Sequence, residues 1–203
     1  MKTKYGYLGL GLILGLALML VGWRVFEIAR PYAYQGSLIN PPPPAADFTL
    51  TDQNGNTFRL SDQRGKVVLI FFGYTNCPDV CPVTLSEFKQ VRQKLGDKAN
   101  DVRFVFITVD PERDTRDKLN KFLSNFDPSI IGLTGDQAAL DAVYKSYGVA
   151  HEKVDVGSAA GYLVNHTAIT YAIDKHGNWR LTYPFGIETD KIVQDLKHLV
   201  QEK

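Results

Sequence analysis

Six consecutive β-branched, aliphatic and aromatic residues, Val67 to Phe72, followed by Gly73 (VVLIFFG), run without a polar interruption into Tyr74-Thr-Asn-Cys77-Pro-Asp-Val-Cys81-Pro. A strand of that composition has no polar face, so it belongs in the middle of a sheet that is covered on both sides. Val83, Leu85, Phe88, Val91 and Leu95 follow near helical spacing, and Pro82 suits a first helical turn, so the stretch after the strand is predicted helical. The chain's only two cysteines thus fall at a strand-to-helix junction.

The flanking segments extend this pattern. Phe48 to Leu50 and Thr57 to Leu60 enclose Asn54-Gly55, a tight-turn signal that predicts an opening β-hairpin. Val102 to Val109 and Ile130 to Leu133 read as strands, and Leu119 to Phe126 and Leu140 to Tyr147 lie in helices. Strands are expected near Val149 to Val156, Ala168 to Ile173 and Trp179 to Tyr183, with a closing helix from about Glu188 to Gln201. The order describes an α/β domain with a mixed central sheet, helices on both faces and an N-terminal hairpin, which matches the thioredoxin-like fold.

Ahead of this domain, an almost unbroken apolar run from Tyr5 to Val21, extended by Gly22, Trp23, Val25 and Phe26, has the length of a membrane-spanning helix. It exceeds the apolar core of a cleaved signal peptide, and no small-residue cleavage site follows it. The first cysteine is Cys77, so no lipid anchor is expected. The expected division is a membrane anchor over 1–30, a linker over 31–46 and the domain over 47–203. The linker holds four consecutive prolines, Pro41 to Pro44, and reads as an extended polyproline spacer. Lys2 and Lys4 before the span nearly balance Arg24 and Arg30 after it, so charge does not orient it. The absence of an Arg- and Ser-rich presequence suits a bacterial inner-membrane protein. A net charge of +1 and no basic stripe interleaved with aromatics speak against nucleic-acid binding.

Two cysteines four positions apart at a helix start point their sulfurs the same way, and the helix dipole favours the thiolate. That suits redox exchange or a metal. The spacing is C-x-x-x-C rather than the C-x-x-C of disulfide oxidoreductases, and an inert buried pair is the plain structural alternative.

Cys77-Pro-Asp-Val-Cys81-Pro after Phe-Phe-Gly-Tyr-Thr, the later Val109-Asp-Pro-Glu-Arg-Asp114, and Asn165-His166-Thr before a strand together resemble the SCO/SenC copper chaperones, from about Ala46 to the C-terminus. The resemblance implies that Cys77, Cys81 and His166 bind one copper ion. Two thiolates and an imidazole are soft ligands suited to Cu(I), and hold Cu(II) when a further weak ligand is added. Structural zinc asks for four protein ligands, and no fourth candidate stands near these three in the sequence. His166 precedes the strand Ala168 to Ile173, where thioredoxin-like enzymes place a proline against their cysteines, so its loop is expected to face Cys77 and Cys81. His151, His176 and His198 read as satisfied or solvated histidines. Asn165 stands where the family usually has aspartate, and Asp79, Asp110 and Arg113 read equally as capping or salt-bridging groups.

The function implied is a copper metallochaperone for the CuA centre of cytochrome c oxidase subunit II, acting on the periplasmic face of the inner membrane. Another copper chaperone or a thioredoxin-like reductant would be a further partner. The alternative from another class is a thiol-disulfide oxidoreductase that uses Cys77 and Cys81 without carrying copper. A peroxide-reducing enzyme shares the fold, but the cysteine pair and His166 argue against it.

Overall fold

The computed structural model describes residues 15–24, 26, 31–158 and 161–202. The chain divides into two compact units, Met1–Ala33 and Tyr34–Lys203. In the first, residues 15–24 are helical (α1) and expose Leu16, Leu18, Met19, Leu20, Val21 and Trp23. Residues 5–14 and 25 of the expected membrane span lie outside the described residues. Among the described residues no helix is long and apolar enough to cross a membrane.

The second unit is built on an eight-stranded mixed sheet. Its strands are β1 (Ser37–Leu38), β2 (Thr49–Asp52), β3 (Thr57–Arg59), β4 (Val67–Gly73), β5 (Val102–Thr108), β6 (Ile131–Thr134), β9 (Ile169–Ile173) and β10 (Trp179–Pro184), in the order β1-β10-β9-β4-β5-β6-β2-β3. β4 pairs parallel with β5 and antiparallel with β9. All seven of its residues are buried, as an uninterrupted apolar run requires. The opening hairpin is β2-β3, as its turn signal predicts.

Four helices cover the sheet: α2 (Val80–Leu95), α3 (Arg116–Ser124), α4 (Gln137–Tyr147) and α5 (Thr189–Gln201). Side chains alternate across a strand, so successive phenylalanines of β4 serve different faces. Phe71 meets Phe106 of β5. On that face Phe88 of α2 packs on Phe104 and Phe122 of α3 on Phe106, with α5 lying against α2. Phe72 points the other way, into Tyr144 and Tyr147 of α4 and Tyr171 of β9. Each such ring removed from water contributes about 1.5–3 kcal/mol, so the β4 pair couples both helical layers to the strand that delivers the cysteines.

Three features depart from the sequence reading. Helix α2 starts at Val80 rather than Val83, which puts Cys81 in its first turn. Residues His151–Ser158 (β7) and Gly161–His166 (β8) form a separate two-stranded hairpin rather than a strand of the main sheet. β8 was not expected at all.

The third departure is the Pro-rich stretch, which is laid along β10 from Gln35 onward rather than standing free as a spacer. Ser37 and Leu38 pair with Thr182 and Leu181. Ile39 and Ala45 donate their N–H groups to Arg180 and Gly177, and the Pro43 carbonyl accepts from Trp179. Proline lacks an N–H but keeps its carbonyl, which is why it is tolerated on an edge strand and blunts the edge against further pairing. The buried Asp195 carboxylate of α5 completes the attachment, accepting hydrogen bonds from the Gln35 and Gly36 amides and from Tyr183 Oη. Asp195→Ala leaves these donors without that acceptor. It is expected to cost about 1–3 kcal/mol in urea unfolding and to remove hydrogen-exchange protection at Gln35 and Gly36 while β4 and β5 stay protected. Unchanged protection at those two amides would contradict the attachment.

Candidate metal centre

The cysteines are placed by what surrounds the end of β4. At Gly73 a Cβ would stand 2.8 Å from Cys81 Sγ and 2.7 Å from the Phe106 ring, so only glycine lets the first turn of α2 sit this close to the strand. The next residue but one, Thr75, is tied down by buried Asp114: its amide donates at 3.0 Å and its hydroxyl also donates to that carboxylate. Thr108 at the end of β5 donates to the same group at 2.7 Å. The last acid of the Val109–Asp114 motif therefore braces the turn that leads to Cys77.

Asp79 occupies the N-cap position of α2, but its side chain makes no capping hydrogen bond. The Cys81 amide instead donates to Cys77 Sγ at 3.4 Å. A sulfur thus takes the place of the usual capping oxygen, at the end of a helix where negative charge is favoured. The hydrogen bond from the Cys81 thiol, helped by the Asp79 and Cys81 amides, pulls the Cys77 thiol down to about 4 against the opposing effect of burial. The same Cys77 hydrogen bond, together with burial, pushes Cys81 up. The coupling therefore drives the two thiols apart, Cys77 downward and Cys81 upward.

His166 is the last residue of β8. Its Nδ1 lies 3.2 Å from the Thr167 carbonyl oxygen, and its Nε2 lies 3.5 Å from Cys81 Sγ. A carbonyl only accepts, which assigns the ring proton to Nδ1 and leaves the Nε2 lone pair directed at the sulfurs. Phe71 and Tyr74 hold the ring edge-on with centroids 5.9 and 5.8 Å away. The ligand atoms of Cys77, Cys81 and His166 lie within 4.8 Å of one another, the single such cluster among the described residues. The three residues singled out in the sequence therefore meet. Two sulfurs and one nitrogen fit a soft cation and leave a coordination position free.

The hairpin that carries His166 is clamped by residues the sequence flagged and by one it did not. Asp110 is fully buried. Its carboxylate accepts from Arg113 Nε and, at 2.7 Å, from Tyr162 Oη. Arg113 Nη1 donates to the Tyr162 carbonyl at 2.8 Å, and the guanidinium carbon stands 3.6 Å from the Tyr162 ring centroid. Lys153 of β7 pairs with Glu112 at 2.6 Å. Tyr162 was missed, although Tyr162, Val164 and His166 recur at the period of a strand face, a signal that would have placed β8.

The remaining candidates stand apart from the ligands. Asn165 is exposed and directly opposite Glu152. An aspartate there would face a like charge across the hairpin. His151 is opposite His166, with its ring 4.6 Å from that of Tyr144. His198 meets Glu202 at 3.3 Å, and His176 is exposed in a turn.

A mixed α/β sheet flanked by helices, with a cysteine pair at a strand-to-helix junction and a histidine brought over it, defines a thioredoxin-like metal-binding domain. The SCO1/SenC family model matches residues 38–201, and the chain belongs to this family. An SCO2-like protein of Rickettsia prowazekii is 36% identical over 152 residues, which cover 74% of this chain and 74% of that protein. The structure of Bradyrhizobium japonicum ScoI with copper bound is 41% identical, covers 76% of this chain and 98% of its own, and superposes with a TM-score of 0.71. Arabidopsis thaliana ScoI with copper bound is 31% identical, with coverages of 78% and 99% and a TM-score of 0.72.

Two outcomes follow from the geometry. In the reduced, metal-free protein Cys77 should alkylate with iodoacetamide at about pH 6 nearly as fast as at about pH 8, since its folded value lies near 4 rather than in the ordinary thiol range. A rate that rises tenfold per pH unit across that window would contradict a depressed thiol. Arg113→Ala strips the buried Asp110 carboxylate of its cation. It should cost about 3 kcal/mol in thermal unfolding and broaden the His166 ring signals in NMR spectra, whereas a clamp of no consequence would leave those signals sharp.

Proposed function

We propose that this chain is a copper metallochaperone that delivers copper to, or helps mature, the CuA centre of cytochrome c oxidase subunit II. The observation that carries the reading is the convergence of two sulfurs and one imidazole nitrogen within 4.8 Å. Support comes from relatives whose structures hold copper and from BsSco, described as a member of the Sco family of cytochrome c oxidase assembly proteins. Residues 1–30 serve as a single-pass anchor in a bacterial inner membrane, with the domain on the periplasmic face. The apolar run from Tyr5 supports the anchor.

In this mechanism Cys77 offers its sulfur already ionised, Cys81 releases its proton as the metal arrives, and His166 stays oriented by its Nδ1–H bond to Thr167. Loading therefore releases a proton. Copper arrives as cargo in a site with three protein ligands, and leaves by exchange with incoming thiolates at the open position. Oxidation of the pair to a disulfide would remove two electrons and two ligands together, so loading requires the reduced pair. Another copper chaperone or a thioredoxin-like reductant would supply metal or electrons.

The second reading, a thiol-disulfide oxidoreductase, is favoured by the depressed Cys77 thiol beside a protonated partner. Cys77 would attack a disulfide in the target, expelling one target thiolate and forming a mixed disulfide. Cys81, after losing its proton, would then close the Cys77–Cys81 bond and expel the second thiolate. Metal analysis and absorption spectra of the purified chain, loaded anaerobically with Cu(I) or Cu(II), separate the two. The metallochaperone reading predicts stoichiometric copper and sulfur-to-Cu(II) charge-transfer bands that His166→Ala weakens. No copper retained by the reduced wild type would leave the oxidoreductase in its place.

A further inference from the structure

Beside the metal centre, on the α2 side of the sheet, lies a groove of about 390 Å³. One wall is the first turns of α2, with Pro82, Val83 and Glu87. The other is the loop from β10 into α5, with Phe185, Ile187 and Thr189. Both walls are continuous with the ligands. Pro82 follows Cys81 directly, and the Phe185 amide is hydrogen-bonded to the Ala168 carbonyl, two residues beyond His166. Any molecule that exchanges a ligand with Cys77 or Cys81 comes within reach of this groove.

Its chemistry is unusual for solvent-facing surface. Val83 and Phe185 are 50% and 47% exposed although large and apolar, and between the walls sits a half-buried carboxylate. Glu87 has the Thr189 side chain as its hydrogen-bonding neighbour, and no cation of the described domain offsets its burial, which holds the carboxyl up at about 7. A desolvated acid without a counter-charge, flanked by exposed apolar side chains, is complementary to a cationic group on an apolar stem.

We propose that this groove docks an extended segment of the protein that exchanges copper with the centre, one that carries a lysine or arginine for Glu87 next to an apolar side chain for Val83 and Phe185. The proposal rests on the metallochaperone reading for the nature of the partner. The docked cation would register the partner's thiolates against the open position of the Cys77, Cys81 and His166 site, so the groove selects the partner while the site moves the metal.

The test is site-specific photocross-linking in cells that produce the full chain, with p-benzoylphenylalanine at position 83, at position 185 or, as a control on the opposite helical face, at position 145. Cross-links from 83 and 185, absent from 145, are expected to a segment of another protein with a lysine or arginine within a few residues of the captured position. Their yield should fall roughly ten-fold or more with Glu87→Lys and by less with the isosteric Glu87→Gln. Copper content and charge-transfer bands of both variants should equal those of wild type, which shows that the fold and the metal centre are intact. Capture of a second copy of this chain, capture of its own residues 1–33, a yield indifferent to Glu87, or no product above the position 145 control overturns the proposal. If the captured segment belongs to oxidase subunit II, both readings stand. If it belongs to a different protein of the stated chemistry, the groove stands and the oxidase reading falls.

Discussion

The Asp110 carboxylate, fully buried and shared between Arg113 and Tyr162, is the interaction on which the metal centre depends. The two halves of the site have different origins. Cys77 and Cys81 come from the rigid junction of β4 and α2, whereas His166 comes from a two-stranded hairpin outside the main sheet. An isolated two-stranded hairpin is marginal by itself in water, so it needs a reason to lie over the cysteines. A buried charge must find its partners or cost several kcal/mol, and here those partners include a hairpin tyrosine. The cost of exposing Asp110 is thereby converted into a fixed place for His166.

The same economy operates at the cysteines. The first turn of a helix has amides with no intrahelical acceptor, and Cys77 Sγ takes one of them in place of an Asp79 oxygen. Ionising one thiol raises the cost of ionising its neighbour, so the site pairs a depressed Cys77 thiol with a raised Cys81 thiol. It is poised between two outcomes that use the same atoms: binding a soft cation, or transferring electrons to a disulfide. The geometry of His166 distinguishes them, because an imidazole with its Nδ1 proton engaged and its Nε2 lone pair turned to the sulfurs adds a ligand but is no requirement for thiol exchange.

Much of this was legible in the residues. The VVLIFFG run can only be a central strand, and the proline-flanked cysteines can only sit where it enters a helix. His166 was reached through resemblance rather than pattern, since four histidines were available and only the fold brings one to the sulfurs. What escaped has physical causes. Tyr162 belongs to a short hairpin arm whose alternation marks a strand face but not its clamp, which comes from Asp110 and Arg113, some fifty residues earlier in the chain. The prolines at 41–44 suggested a free spacer because local propensity is all that sequence displays. The Pro43 carbonyl, the flanking Ile39 and Ala45 amides and the Asp195 anchor attach the stretch only once the sheet exists. Pro82 does fall in the first turn of α2, as its ring suits, but that turn opens two residues before it, at Val80.

X-ray absorption at the copper edge of the anaerobically Cu(I)-loaded chain tests most directly whether Cys77, Cys81 and His166 act as one centre. The account predicts a first shell of two sulfurs and one imidazole nitrogen, with the imidazole scattering lost in His166→Ala and both sulfurs retained. A shell of sulfur alone in the wild type, or imidazole scattering that survives the substitution, would contradict it.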